Sequence, residues 1–367
     1  MTHLLAASWA STPWRHEAAT TSAAWLAGAG DGAIDLIRAD LDGHLPREEP
    51  RPPFDTRPAR TVSLAGGHPG PQTWADVAAY AQAGVTRAVA WAGTGSGSGW
   101  DEGYSGPVGL ADHLILALLR QRGLVTRWTA HIIDLPTHDP GGRRRDDRVT
   151  EDALLAAVRR LAPGEPAGDG VADRILGLLA SADRVLAGSD ALATHLSEQH
   201  GLDGIEVWER PGETQPPADR APGIRAAVDA ARLPALGPVL AAYAQLTPAE
   251  QAALPLRLLT NAPETVGPEL RRRGLEARVS VGPDLCPAAR SGADFALVLD
   301  APRPDGMAWS PAGIPELADH ARSGTEVILL APQDSPLTQA AVAHHVPADH
   351  PSAMLALLRG LAARLPV

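Results

Sequence analysis

The chain has 367 residues, a formal net charge of -11 and a single cysteine, and all 32 of its basic residues are arginine. At about 150 residues per domain, that length makes two domains, each large enough for its own core. The negative charge argues against a general nucleic-acid binder. Lone Cys286 excludes a disulfide framework and a cysteine zinc site, and no apolar run approaches the ~20 residues of a membrane span. Chemistry that needs a lysine is excluded outright.

Short apolar strands alternate with Ala/Leu-rich helices from the start. Residues 4–8 read as a strand, punctuated by Ser11-Thr12-Pro13, and a helix over 16–27 stops at Gly28 and Gly30. Strands are expected at 34–38, 61–64 and 87–91, with a helix at 73–83 between the last two. The segment GLADHLILALLRQR (109–122) is an amphipathic helix ending at Gly123, and VTRWTAHII (125–133) is a strand. Helices follow at 151–161 and 171–182, then a strand at 184–187, a helix at 190–200 closed by Gly201, and a strand at 205–208. This alternation means βαβ units and a mostly parallel sheet.

TQPPADRAPG (214–223) is Pro-rich and aperiodic, as an interdomain linker is. The pattern then restarts: strands at 238–242, 256–260, 277–281, 294–299 and 326–330, helices at 263–273 and 315–322, and a terminal helix at 352–363. The expected division is an N-terminal domain over 1–213, the linker, a C-terminal domain over 224–350, and a terminal segment 351–367 free to return to the first domain. Two tandem Rossmann-like domains set the carboxyl ends of their parallel sheets toward a central cleft, where ligands of such sheets bind. The first residues, MTHLLAASWAS, lack a charged leader, so a cytoplasmic protein is expected.

Three irregular segments stand out. Residues 42–60 and 139–148 read as solvated loops or as covers over a ligand. GTGSGSGWDEGYSGP (93–107) reads as a loop whose glycines admit a ligand close to the backbone. It is neither a dinucleotide fingerprint nor a P-loop, having no GxGxxG before a helix and no Gly-Lys. Trp100, Asp101, Glu102 and Tyr104 would contact an acceptor there, and the two carboxylates would suit a basic one, such as an aminosugar. Arg15, in the loop after the first strand, adds a fork of donors. His344, His345 and His350 lack the carboxylates that would complete a metal site, so no metal is expected.

Three stretches resemble family-4 glycosyltransferases of the GT-B fold. ADRVLAGSDALATHL (182–196), with Ser189 closing a strand and Pro211-Gly212 following, is similar to the end of that family's N-terminal domain. VTRWTAHIIDLPT (125–137) is similar to its strand ending beside the acceptor, with His131 and Asp134 at the matching places. DFALVL (294–299) followed by GIPELADHARSGTEVILL (313–330) resembles its sugar-nucleotide segment. The resemblance implies a retaining transfer of a hexose from a nucleotide-diphosphate sugar to a small hydroxylated acceptor, with no cofactor beyond that co-substrate. It implies that His131 contacts the sugar or the leaving phosphate. It puts Asp319 at the place of the ribose-binding carboxylate, with Glu316, Asp305 and Gly306 nearby, and the backbone at Gly313 and Ile314 facing a phosphate. The family's Arg/Lys clamp on the diphosphate falls, on this reading, at Gln245 and near Glu250 in VLAAYAQLTPAEQ (239–251), with Arg303 as the substitute cation. That departure keeps two alternatives open: a degenerate GT-B protein without ordinary donor chemistry, acting as a non-catalytic partner or a sugar-nucleotide binder, and a sugar-nucleotide epimerase on the same fold. A homodimer or a protein partner is also left open.

Overall fold

The computed structural model describes residues 2–11, 17–29, 32–42, 58–65, 73–94, 99–134, 137, 147–148, 160, 170–208, 221–228, 232–260, 263–282, 293–300, 317, 320, 324–333, 335–340, 342–348 and 350–365. The described residues up to 208 form one compact unit and those from 221 onward another.

In the first unit, strands β1 (His3–Ala7), β2 (Ala33–Ala39), β3 (Arg60–Leu64), β4 (Trp100–Ser105), β5 (Val125–Ile132), β6 (Arg184–Ala187) and β7 (Glu206–Val207) make one parallel sheet in the order β3-β2-β1-β4-β5-β6-β7. Near-continuous apolar runs such as Leu4 to Ala7 are buried, as strands covered on both faces must be. Helices α1 (Glu17–Gly28), α2 (Trp74–Thr94), α3 (Leu110–Gln121), α4 (Val171–Leu179) and α5 (Asp190–His200) connect them. Helix α3 is buried from Leu110 through Leu119 and packs on β4, β5, α2 and α4, which is why its sequence is apolar nearly all round. Ser189 caps α5 by accepting the Leu192 N–H at 3.2 Å.

The second unit repeats the plan. Strands β8 (Ala221–Ala227), β9 (Leu256–Leu259), β10 (Val279–Gly282), β11 (Ala293–Leu299), β12 (Glu326–Ala331) and β13 (His344–Pro347) form a parallel sheet in the order β10-β9-β8-β11-β12-β13. Its helices are α6 (Leu233–Tyr243), α7 (Pro248–Ala253), α8 (Pro263–Arg272) and α9 (Pro351–Ala362). Among the described residues no helix is long and apolar enough to cross a membrane.

Several local expectations change. The strand expected at 87–91 lies inside α2, because the apolar spacing through Trp74, Val77, Tyr80, Ala81, Val85 and Ala88 stays helical to its end. The strand expected at 238–242 is the second half of α6, where Leu236, Val239, Leu240 and Tyr243 enter the core at helical spacing. The loop expected over 93–107 contains β4, an inner strand. Its Gly103 is there for packing, since a Cβ would fall on Leu116 of α3. Residues 221–223 of the expected linker begin β8. The terminal helix α9 stays with the second unit, burying Met354, Leu358 and Leu361 in one cluster with Leu236, Leu240 and Tyr243 of α6.

Candidate functional site

Chain order reverses between β1 and β4 in the first sheet and between β8 and β11 in the second. In open parallel sheets, ligands bind outside the carboxyl ends of the strands at such a reversal. In the first unit that place holds a buried polar cluster.

The turn after β1 is fixed on both sides. Ser8 N–H donates to the Ile37 carbonyl at 2.9 Å, and Gly106 N–H donates to the Ala7 carbonyl at 2.6 Å. Gly106 has no room for a side chain: a Cβ would stand 2.6 Å from Ser8 Oγ. Trp9 N–H donates to Asp112 Oδ2 at 2.7 Å, tying the turn to the first helical turn of α3. Asp112 is fully buried, and Oδ1 has no hydrogen-bond partner among the described residues. Burial pushes its carboxyl up to about 8, against the opposing pull of the Trp9 bond. Tyr80 on α2, whose hydroxyl also lacks a described partner, is driven upward by burial and by the Asp112 charge.

Ser105, at the end of β4, accepts the Trp128 Nε1–H at 2.9 Å and bonds His113 Nδ1 at 2.7 Å. Burial brings His113 down to about 4. His131 stands one residue from the end of β5, fully buried, with Nδ1 3.0 Å from the Tyr104 hydroxyl and the Trp208 ring packed edge-on at 5.0 Å. Burial, then the His113 charge, lowers it to about 3, so the ring is neutral at physiological pH. Its Nε2 has no partner among the described residues.

The other end of the same sheet is built differently. Asp35 of β2, also fully buried, accepts from Arg60 Nε at 2.8 Å, from the second Arg60 nitrogen, and from Trp100 Nε1 at 2.8 Å, and lies 2.8 Å from His3 Nε2. Burial works to raise its carboxyl, but the Arg60 and Trp100 bonds and the charges of Arg60 and His3 outweigh it and hold it below the usual range.

These positions part the four residues expected to meet an acceptor together. Trp100, Asp101 and Glu102 lie in the amino half of β4. Trp100 serves Asp35, Asp101 accepts the His3 backbone N–H at 2.9 Å, and Glu102 pairs with Arg127 at 2.5 Å across the strands. At about 3.3 Å per residue, Trp100 is roughly 20 Å along the sheet from His131. Tyr104 is at the carboxyl end but fully buried, its ring stacked on Trp25 at 4.2 Å. Asp134 is exposed, just past β5.

In the second unit Gln245 follows α6, not a strand, and its amide donates to the Ala241 carbonyl at 3.1 Å. Glu250 forms a capping box with Thr247 at the start of α7. Neither is at a sheet's carboxyl end, because 238–242 is helix and not the strand expected there, so neither stands where a cationic clamp would. The first strand of this unit is β8, and the cation that follows it is Arg232, nearly buried, with a guanidinium nitrogen 3.5 Å from the Ala227 carbonyl. The Arg-Leu-Pro of 232–234, just after the small apolar run of β8, was the available signal. Asp300, at the end of β11, accepts the Ser335 hydroxyl at 2.6 Å. Arg15, Arg303, Asp305, Gly306, Gly313, Ile314, Glu316 and Asp319 lie outside the described residues. Gly324 and Thr325 precede β12. His344 pairs with Glu326 at 2.6 Å, and the described residues contain no group of three side chains placed to hold a metal ion.

No family model matches the chain, and neither does any curated protein sequence. Solved structures do share its fold. A trehalose 6-phosphate synthase from Burkholderia multivorans is 12% identical and superimposes with a TM-score of 0.56, covering 100% of this chain and 92% of its own. A UDP-forming trehalose-phosphate synthase from Burkholderia xenovorans, solved with glucose-6-phosphate, is 10% identical at TM-score 0.53, covering 99% and 92%. The UDP-GlcNAc 2-epimerase of Methanocaldococcus jannaschii, solved with UDP-GlcNAc and UDP, is 9% identical at TM-score 0.50, covering 98% and 92%. The architecture is thus α/β with two Rossmann-like units of the GT-B type.

Proposed function

We propose that the protein is a glycosyltransferase of the retaining, family-4-like kind, moving a hexose from a nucleotide-diphosphate sugar to a small hydroxylated acceptor. The observation that carries this reading is His131: a neutral imidazole, buried at the carboxyl end of β5 beside the chain reversal, with one ring nitrogen unpartnered among the described residues. A buried polar atom left without a partner is costly, and at the mouth of a parallel sheet the partner it fits is a bound ligand.

In this reading the first unit takes the acceptor and the second takes the donor. Arg232, between β8 and α6, faces the donor diphosphate in place of Gln245. Arg303, Asp305, Gly306, Gly313, Ile314, Glu316 and Asp319 remain the proposed donor contacts, Arg15 a proposed acceptor-side group, and Asp134 with His131 the proposed catalytic pair. A cation beside a departing diphosphate stabilises charge that grows as the glycosidic bond breaks. The leaving phosphate then takes the acceptor proton, so no side chain need act as base. The absence of lysine favours a second reading, a binder of sugar nucleotides without transfer.

Calorimetric titration with UDP-, GDP- and dTDP-hexoses, followed by an assay for free nucleoside diphosphate, separates the readings. Transfer predicts binding, and diphosphate release that depends on an added hydroxylated acceptor. Binding without release would support the second reading. Failure of every nucleotide to bind would overturn transfer and sugar-nucleotide binding alike, and favour a non-catalytic partner.

A further inference from the structure

Trp208 stands one residue past β7, beside His131. Its backbone N–H donates to the carbonyl of Ala187, the last residue of β6, at 2.9 Å, which fixes it at the carboxyl end of the sheet. The indole meets the His131 ring at 5.0 Å between centroids and 82° between planes. β7 is the edge strand, so no further strand flanks Trp208 on its outer side. The residue is half-buried where His131 is fully buried.

Two perpendicular rings use one face between them. If the imidazole edge meets the indole, one indole face is taken and one is left. If the indole edge meets the imidazole, both indole faces are left. Among the described residues no other aromatic ring is paired with Trp208. Trp100 and Trp128 spend their indole N–H on Asp35 and Ser105, whereas that of Trp208 has no acceptor among the described residues.

One place thus offers an open aromatic face, an indole N–H and, on the neighbouring ring, the unpartnered Nε2 of His131. The combination fits a ligand that is apolar on a flat side and polar at its rim. A pyranose or cyclitol ring is built that way, with C–H bonds on its faces and hydroxyls around it. A hydroxyl both gives and takes a hydrogen, so it serves Nε2 in either tautomer and the indole N–H as well. A phosphate has no apolar face, and an open-chain polyol has no flat one.

We propose that Trp208 is a binding residue of the first unit, a platform for the C–H face of a hydroxylated six-membered ring, one hydroxyl of which meets His131 Nε2. The acceptor is then a ring sugar or a cyclitol, not an open-chain alcohol. Calling that ring the acceptor rests on the glycosyltransferase reading; the platform does not.

The test is an indole 1H–15N spectrum of the full chain, with the Trp208 signal assigned by its loss in Trp208→Phe. The chain is titrated with glucose, galactose, mannose, N-acetylglucosamine, glucosamine and myo-inositol, and separately with sorbitol and with UMP. At least one ring compound is expected to move the Trp208 signal saturably, while sorbitol and UMP leave it in place. In calorimetry Trp208→Ala weakens that compound about tenfold, and Trp208→Phe, which keeps a flat face, by less than about threefold. Should Trp208→Ala not fold, the native spectrum and the Phe variant carry the test. The proposal is overturned if no ring compound moves Trp208, if sorbitol or UMP moves it as much, or if Trp208→Ala binds like the native chain. Sugar binding at Trp208 in a chain that takes up no nucleotide sugar would sink the transferase reading and leave the platform. Acceptor-dependent diphosphate release with Trp208 unmoved would do the reverse.

Discussion

The two ends of the first sheet each bury a carboxylate, and they treat it in opposite ways. At the amino end, Asp35 is surrounded by Arg60, Trp100 and His3, and its charge is favoured. At the carboxyl end, Asp112 has one backbone donor, no described partner on Oδ1, and its charge is disfavoured. His131 and His113 beside it are likewise held neutral by burial. One end is satisfied from within the chain. The other keeps uncharged polar groups with atoms to spare, as a site awaiting ligand does.

The largest expected effect comes from breaking the satisfied end. Asp35→Ala leaves Arg60 and Trp100 without their common acceptor. Removing one member of a buried ion pair costs ~3 kcal/mol or more, and because the Arg60 side chain is 33% exposed and can rehydrate, about 3 kcal/mol is expected. Urea unfolding followed by tryptophan fluorescence checks it; a loss under 1 kcal/mol would mean the network is not a structural anchor.

Asp112→Asn sharpens the contrast. Its folded carboxyl titrates above its unfolded value, so the folded state holds the extra proton, and native stability is eroded as pH rises from about 4 to about 8. The amide cannot ionise and still accepts from Trp9. The variant should therefore gain on the native protein as pH rises, by on the order of a few kcal/mol between pH 5 and 9, in paired urea titrations. At Asp35 the sign is reversed: the stability it confers is present above its unfolded value and lost as pH falls through the lowered folded one. A difference between Asp112→Asn and the native chain that does not change with pH would mean that Asp112 is charged in the fold.

A smaller effect tests the strand joining the two ends. Gly103→Ala would push a methyl group into Leu116 and separate α3 from β4, an overpacking worth about 1–3 kcal/mol, read as a shift in urea midpoint. An unchanged midpoint would show that α3 can move without loss.

Much of this plan was legible in the residues. The βα alternation, the largely apolar α3 and the position of His131 at a strand end follow from periodicity and punctuation. β4 was hidden because its amino half is acidic and its core position is a glycine. β8 was hidden behind prolines, and the β-branched end of α2 resembled a strand. The contact of Tyr104 with His131 was not legible at all: the two come from different strands, and only the sheet order sets β4 beside β5. Arg232 stands just before α6, and the strand expected at 238–242 sets the clamp past it.

On the proposed function, the carboxyl end of the first sheet is the end that meets ligand. One sample tests it directly: histidine-labelled protein titrated with nucleotide-diphosphate hexoses, with and without a hydroxylated acceptor, reading His131 at one end and His3 at the other. The His131 signals are expected to move on saturation while His3 stays in place. A ligand that shifts His3 and leaves His131 unmoved would contradict it.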